Sequence, residues 1–172
     1  MNHSAKFAVF AGRASVPEAV AQLGLVQADT DDDPNVGFSA RYEAATPDGG
    51  WLGANTFLYG RGLSLEDGSE YAEAVAERDR SLRALRAGAL EPSTIGVRHM
   101  NLPTSGGVRL GWQWAALRDT PDSDALITHV AVRVDRGYFD KVLFSYPVLN
   151  DGIGRGAFVD FLIEWHRAVQ SA

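Results

Sequence analysis

Four histidines are the first residues to weigh, because imidazole titrates near neutral pH and is the commonest metal ligand. His99 and His129 fall in segments with strand-like alternation. A zinc site needs three or four converging ligands. Ile127, Ala131 and Arg133 share the parity of His129, and Val97 and Asn101 share that of His99, so neither strand supplies a second ligand. His166 is expected at the surface of a closing helix, and His3 in a mobile terminal segment, residues 1–14. Ser39, Ser105 and Ser145 fall at a strand, a turn and a strand, and no G-x-S-x-G elbow surrounds any serine. The acids gather in loops and on one helix face rather than as a facing pair. No catalytic residue, metal site or cofactor is assigned on these patterns.

Three other clusters have binding chemistry. Asp29-Thr30-Asp31-Asp32-Asp33-Pro34-Asn35 begins like a calcium loop, but Pro34 stands where such a loop needs Gly and Ala40 where it needs a bidentate Glu. It reads as a solvated loop. Gly152, Gly154, Arg155 and Gly156 precede the last helix, and a glycine-rich helix start can offer backbone amides to an anion, helped by Arg155. No Lys-Ser/Thr follows, so this is not a phosphate-binding P-loop, and the hairpin before it does not suit a dinucleotide fingerprint. The plainer reading is a flexible loop leading into the helix. Trp112 and Trp114 flank Gln113 and share one strand face. They are core material, or else the aromatic wall of a ligand groove to which Asn55 and Arg109 add polar contacts.

The elements that position these residues follow from periodicity. Ser15-Val16-Pro17-Glu18 has a helix-capping pattern, with Ala19, Val20 and Leu23 following and Gly24 as a stop, so a short helix is expected there. Val36–Ala45 and Trp51–Gly60 read as strands around Pro47-Asp48-Gly49-Gly50, and Gly60-Arg61-Gly62 breaks the second. Ser69 to Ala87 reads as a helix with an apolar stripe of Tyr71, Val75, Leu82 and Leu85. Glu70, Glu73 and Glu77 lead it and Arg80, Arg83 and Arg86 close it, an order that suits the helix dipole and reads as a solvated face. Ile95–Leu102 pairs with Gly107–Leu117, and Asp124 to Pro147 forms a second long hairpin around Asp135-Arg136-Gly137. Gly156 to Val169 is the last helix, with Phe158, Phe161, Leu162, Trp165 and Val169 on one face.

The 172 residues suffice for one domain with a sizeable core. A net charge of −6 argues against nucleic acid and against docking on anionic membranes. The absence of cysteine excludes disulfides and thiolate chemistry. No stretch approaches the ~20 apolar residues of a membrane span, and the apolar run near the start falls short of the roughly 7–15 residues of an export signal. As written the chain reads as cytoplasmic and soluble; one from which a signal had been removed would read the same and be periplasmic or exported.

The strand ending F-L-Y-G-R-G (Phe57–Gly62), the charged helix after it, Y-F-D-K-V-L-F-S-Y-P (Tyr138–Pro147) and the closing aromatic helix resemble bacterial members of the PsbP-like fold, over about Val36 to Val169. The order of helix, two strands, helix, four strands, helix indicates an α+β protein with an antiparallel sheet of about six strands, and the resemblance implies that helices flank this central sheet in an α/β/α sandwich. It brings no common catalytic residues and implies a binding or accessory module more than an enzyme; together with the lack of a catalytic constellation in the sequence, this makes a non-enzymatic accessory or binding module with a protein partner the leading expectation. A small-ligand carrier is the alternative, and a hydrolase using His99 or His129 beside a carboxylate the third.

Overall fold

The computed structural model describes residues 16–31, 37–60, 69–103, 107, 109–135 and 137–171, with the backbone alone at 109, 110 and 171. Residues 1–14, the acidic run beyond Asp31, Arg61 and Gly62, Ser105 and Arg136 lie outside them. The strands are β1 (Ala19–Val20), β2 (Leu23–Thr30), β3 (Phe38–Ala45), β4 (Trp51–Gly60), β5 (Ser93–Pro103), β6 (Arg109–Arg118), β7 (Leu126–Asp135) and β8 (Tyr138–Pro147). Helix α1 (Glu70–Ala87) follows β4, and a 3-10 turn (Val148–Asn150) leads from β8 into α2 (Asp151–Ser171).

All eight strands join one antiparallel sheet in the order β1-β2-β3-β4-β8-β7-β6-β5. This overturns the expected six-stranded sheet flanked by helices: among the described residues there are eight strands and two helices. The added strands come from the segment read as a helix ending at Gly24 and from the residues that follow it. Val20 pairs with Leu23 across a turn in which Ala21 has φ 51°, and β2 pairs along β3. The Ser15-to-Glu18 pattern resembles a cap, but the apolar positions behind it are too few for a helical stripe. Val20 and Leu23 are buried in the core instead, and the Ala21 amide donates to Glu164 Oε2 of α2 at 2.9 Å. Asp29 and Thr30, read as the start of a loop, finish β2.

The chain forms two four-stranded meanders that meet where β4 pairs with β8. The β7–β8 hairpin turns at Gly137, whose φ of 84° is cheap for glycine alone. Alternation then sends Ile127, His129, Ala131 and Arg133 to one face of the sheet and Val130 and Val132 to the other. The first face packs against α2, whose Ala157, Phe158, Phe161, Leu162 and Trp165 form its apolar stripe. Trp165 stacks on Phe38 (6.3 Å between centroids), and Phe161 meets the Tyr42 ring edge-on at 5.7 Å. Such ring pairs contribute about 0.5–1.5 kcal/mol each beyond their buried area.

The second face carries α1 across β6 and β7. The face α1 buries is not the expected apolar stripe. Ala74, Glu77, Arg78 and Ser81 are buried, while Tyr71 is 59% exposed. Glu77, read as solvated, is 3% exposed. It accepts hydrogen bonds from Tyr59 Oη at 2.5 Å and Lys141 Nζ at 3.1 Å, and pairs with Arg80. Glu77 therefore ties α1 to β4 and β8. No helix among the described residues is long and apolar enough to cross a membrane.

Candidate functional site: a cleft between the sheet and the last helix

The first half of α2 and strands β5, β6, β7 and β8 line a cleft of about 110 Å³. Its apolar walls are Ile95, Met100, Ile127, Phe158 and Val159, and its polar lining is Trp114, His129, Tyr146, Asp151, Arg98 and Arg155. Register explains the convergence. His129 lies opposite Ala116 on β6 and Phe144 on β8, so Trp114 and Tyr146, two positions along those strands, flank it on the same face.

These polar groups form one chain. Trp114 Nε1 donates to His129 Nδ1 at 3.0 Å. Indole nitrogen only donates, so the neutral ring carries its proton on Nε2. That proton is donated to Tyr146 Oη at 2.8 Å, and Tyr146 donates to Asp151 Oδ1 at 3.0 Å. Arg155 grips Asp151 through Nε to Oδ1 (2.8 Å) and Nη2 to Oδ2 (2.7 Å). Phe158 stacks on the imidazole at 4.4 Å.

The chemistry follows. Burial pushes the His129 pKa down to about 4; the Asp151 carboxylate pulls it up more weakly, and the Arg155 guanidinium adds slightly to the lowering. Burial, then the hydrogen bond to Asp151, raises the Tyr146 phenol well above its ordinary range. The Arg155 hydrogen bond holds Asp151 below the usual carboxylate range. His129 is neutral at neutral pH, yet its one lone pair is occupied by Trp114. It offers no free base without breaking that bond, so the chain positions the aromatic lining of the cleft rather than holding a poised proton acceptor.

This arrangement sets a pH dependence. The unfolded histidine binds its proton near pH 6.5 and the folded one near pH 4. Between those values the unfolded state holds more protons, so stability rises with pH. The contribution, about 3 kcal/mol, is complete above pH 6.5 and is lost as pH falls toward 4. Asp151 contributes separately below that window, because its pKa is lowered. Urea denaturation at stepped pH checks this: the wild type should weaken from pH 6.5 to 4, and His129→Phe should lose that slope. An equal slope in both would contradict the assignment.

Trp114 and Arg155 both line the cleft, although sequence assigned them to separate sites. Trp112 shares the face of Trp114 but is wholly buried beneath the Arg133 guanidinium, 5.7 Å from its ring. Asn55 is exposed on the opposite face, opposite Arg41 of β3. Arg109 pairs through its backbone with Pro103. Gly152, Gly154 and Gly156 are not a loop: they lie in the first turns of α2, which starts at Asp151 rather than Gly156, and the Asp151 carboxylate occupies that helix start. His99 sits on the far face from His129, donating to Asn101 Oδ1 (2.9 Å) and accepting from Gln113 Nε2 (2.9 Å). His166 is half-buried on α2. Among the described residues no group of three or more His, Asp or Glu could hold a metal ion.

Sequence reading missed Arg98, Tyr146, Asp151 and the role of His129. The available signal was the i,i+4 spacing of Asp151 and Arg155. The cross-strand neighbours needed a register that one strand cannot supply. Comparison with models of known families and with curated proteins finds no match for the chain.

Proposed function

We propose that the protein is a binding module that holds a small, largely apolar molecule in the cleft between α2 and the β5–β8 half of the sheet. The observation that carries this is the cleft itself, with apolar walls, three ordered aromatic rings and a few polar groups fixed by mutual hydrogen bonds. Binding sites for small molecules have that composition. The test is native mass spectrometry of the protein isolated from its host, beside the variant Val159→Trp, which fills the cleft from its rim. A co-purifying small molecule on the wild type, absent from the variant, is the expected result. A bare mass, together with no change in tryptophan emission across a panel of apolar metabolites, would overturn the reading.

A protein-binding accessory module is the second reading, and the sheet edge favours it. The eleven-residue β5 is the last strand, and it exposes Ile95 (45%) and Val97 (49%). An edge of this kind accepts an extended segment of another polypeptide as an added strand. A partner captured by the wild type and released by Val97→Lys, with thermal stability unchanged, is the expected result; equal capture by both counts against it.

A further inference from the structure

We infer that the ligand of this cleft is a straight-chain carboxylate, with its alkyl tail between the α2 and β5 walls and its head on Arg98. The inference rests on the binding reading above and adds the chemical class.

The two cations at the cleft differ. Arg155 is consumed by its two-point pairing with Asp151, whose oxygens also serve Tyr146. Arg98 is exposed, and among the described residues no carboxylate pairs with it. Its guanidinium carbon lies 4.9 Å over the Trp114 ring. That stacking fixes the plane of the fork while leaving its edge N–H groups open, and a guanidinium edge matches a carboxylate at two points. In a chain of net charge −6, an unpaired arginine beside an apolar cleft is a local exception that selects an anionic head.

The walls define the rest of the molecule. Ile95 and Met100 on one side face Phe158 and Val159 on the other, and no polar group on those walls asks for a hydroxyl or amide in the tail. A volume of about 110 Å³ is smaller than the ~150 Å³ cavity that admits benzene. It therefore covers only a short length of an alkyl chain, the rest of which lies along the open side of the cleft. Burial of successive methylenes then supplies affinity at about 0.8 kcal/mol each.

The experiment titrates octanoate and octan-1-ol, equal in chain length, into the ¹⁵N-labelled full chain while following the indole N–H signals, with Trp114 assigned from Trp114→Phe. Arg98→Gln and Val159→Trp are run in parallel, and Arg98, being exposed, can be changed without disturbing the core. Octanoate should shift the Trp114 signal and bind at least about tenfold tighter than octan-1-ol. Arg98→Gln should abolish that preference, and Val159→Trp should abolish both shifts. Equal binding of acid and alcohol by the wild type would overturn the carboxylate assignment and leave the cleft reading intact. No shift with either would overturn both. A preference that persists in Arg98→Gln would place the head elsewhere and sink the assignment.

Discussion

Asp140→Ala is expected to destabilise the protein by about 3–5 kcal/mol, a large share of the roughly 5–15 kcal/mol that holds a domain together. Asp140 is 3% exposed and lies opposite Arg133, itself 7% exposed, in the β7–β8 register. Its Oδ1 accepts from Trp165 Nε1 at 2.9 Å, and its Oδ2 lies 3.3 Å from Arg133 Nε. Removing the carboxylate strands a buried guanidinium whose remaining ion partner, Asp135, is at the strand end. It also removes the acceptor of the indole that anchors α2. Asp140→Asn keeps an acceptor for Trp165 and loses only the charge, so it should cost less. Urea unfolding followed by tryptophan fluorescence measures both. A loss below about 1 kcal/mol for Asp140→Ala, the size of an exposed pair, would show that water reaches this site.

The second large effect distinguishes three glycines that look alike in sequence. A Cβ on Gly154 would lie 2.5–2.6 Å from three ring carbons of Tyr146, which is fully buried and held between His129 and Asp151. The ring cannot retreat without breaking the chain of hydrogen bonds, so α2 must lift. Gly154→Ala should cost about 1–3 kcal/mol by overpacking, more than the ~1 kcal/mol that alanine gains in a helix. It should also move the Trp114 and His129 resonances. A Cβ on Gly152 or Gly156 meets nothing within 4 Å. Alanine there should stabilise by up to about 1 kcal/mol. Thermal unfolding of the three variants decides it, and three shifts of the same sign would refute the contact argument.

The same glycines show where sequence reading stops. Spaced glycines weaken a helix, so the segment read as a loop; Gly154 is there because the helix crosses a tyrosine ring, and that contact is tertiary. The β7–β8 hairpin was legible because alternation and an Asp-x-Gly turn agree. Helix α1 was legible from its charge order and Gly88, but not its buried face, since Glu77 gains its partners from β4 and β8. The β1–β2 hairpin was misread because a capping pattern carried more weight than the two apolar residues behind it. The cleft was half visible: Trp114 and Arg155 stood out by type, but their meeting depends on β8 lying beside β7 and running into α2.

The meeting of the two meanders along β4 and β8 has a consequence for how the chain finds this structure. Every other strand pair in the sheet joins neighbours in sequence, as hairpins that close over short loops. The β4–β8 pair instead joins Gly60 to Tyr138 and Gly53 to Ser145, across α1 and three intervening strands. Loop-closure entropy makes that pairing the slow one. Substitutions along the β4–β8 boundary should therefore slow refolding, while those inside either meander should chiefly speed unfolding.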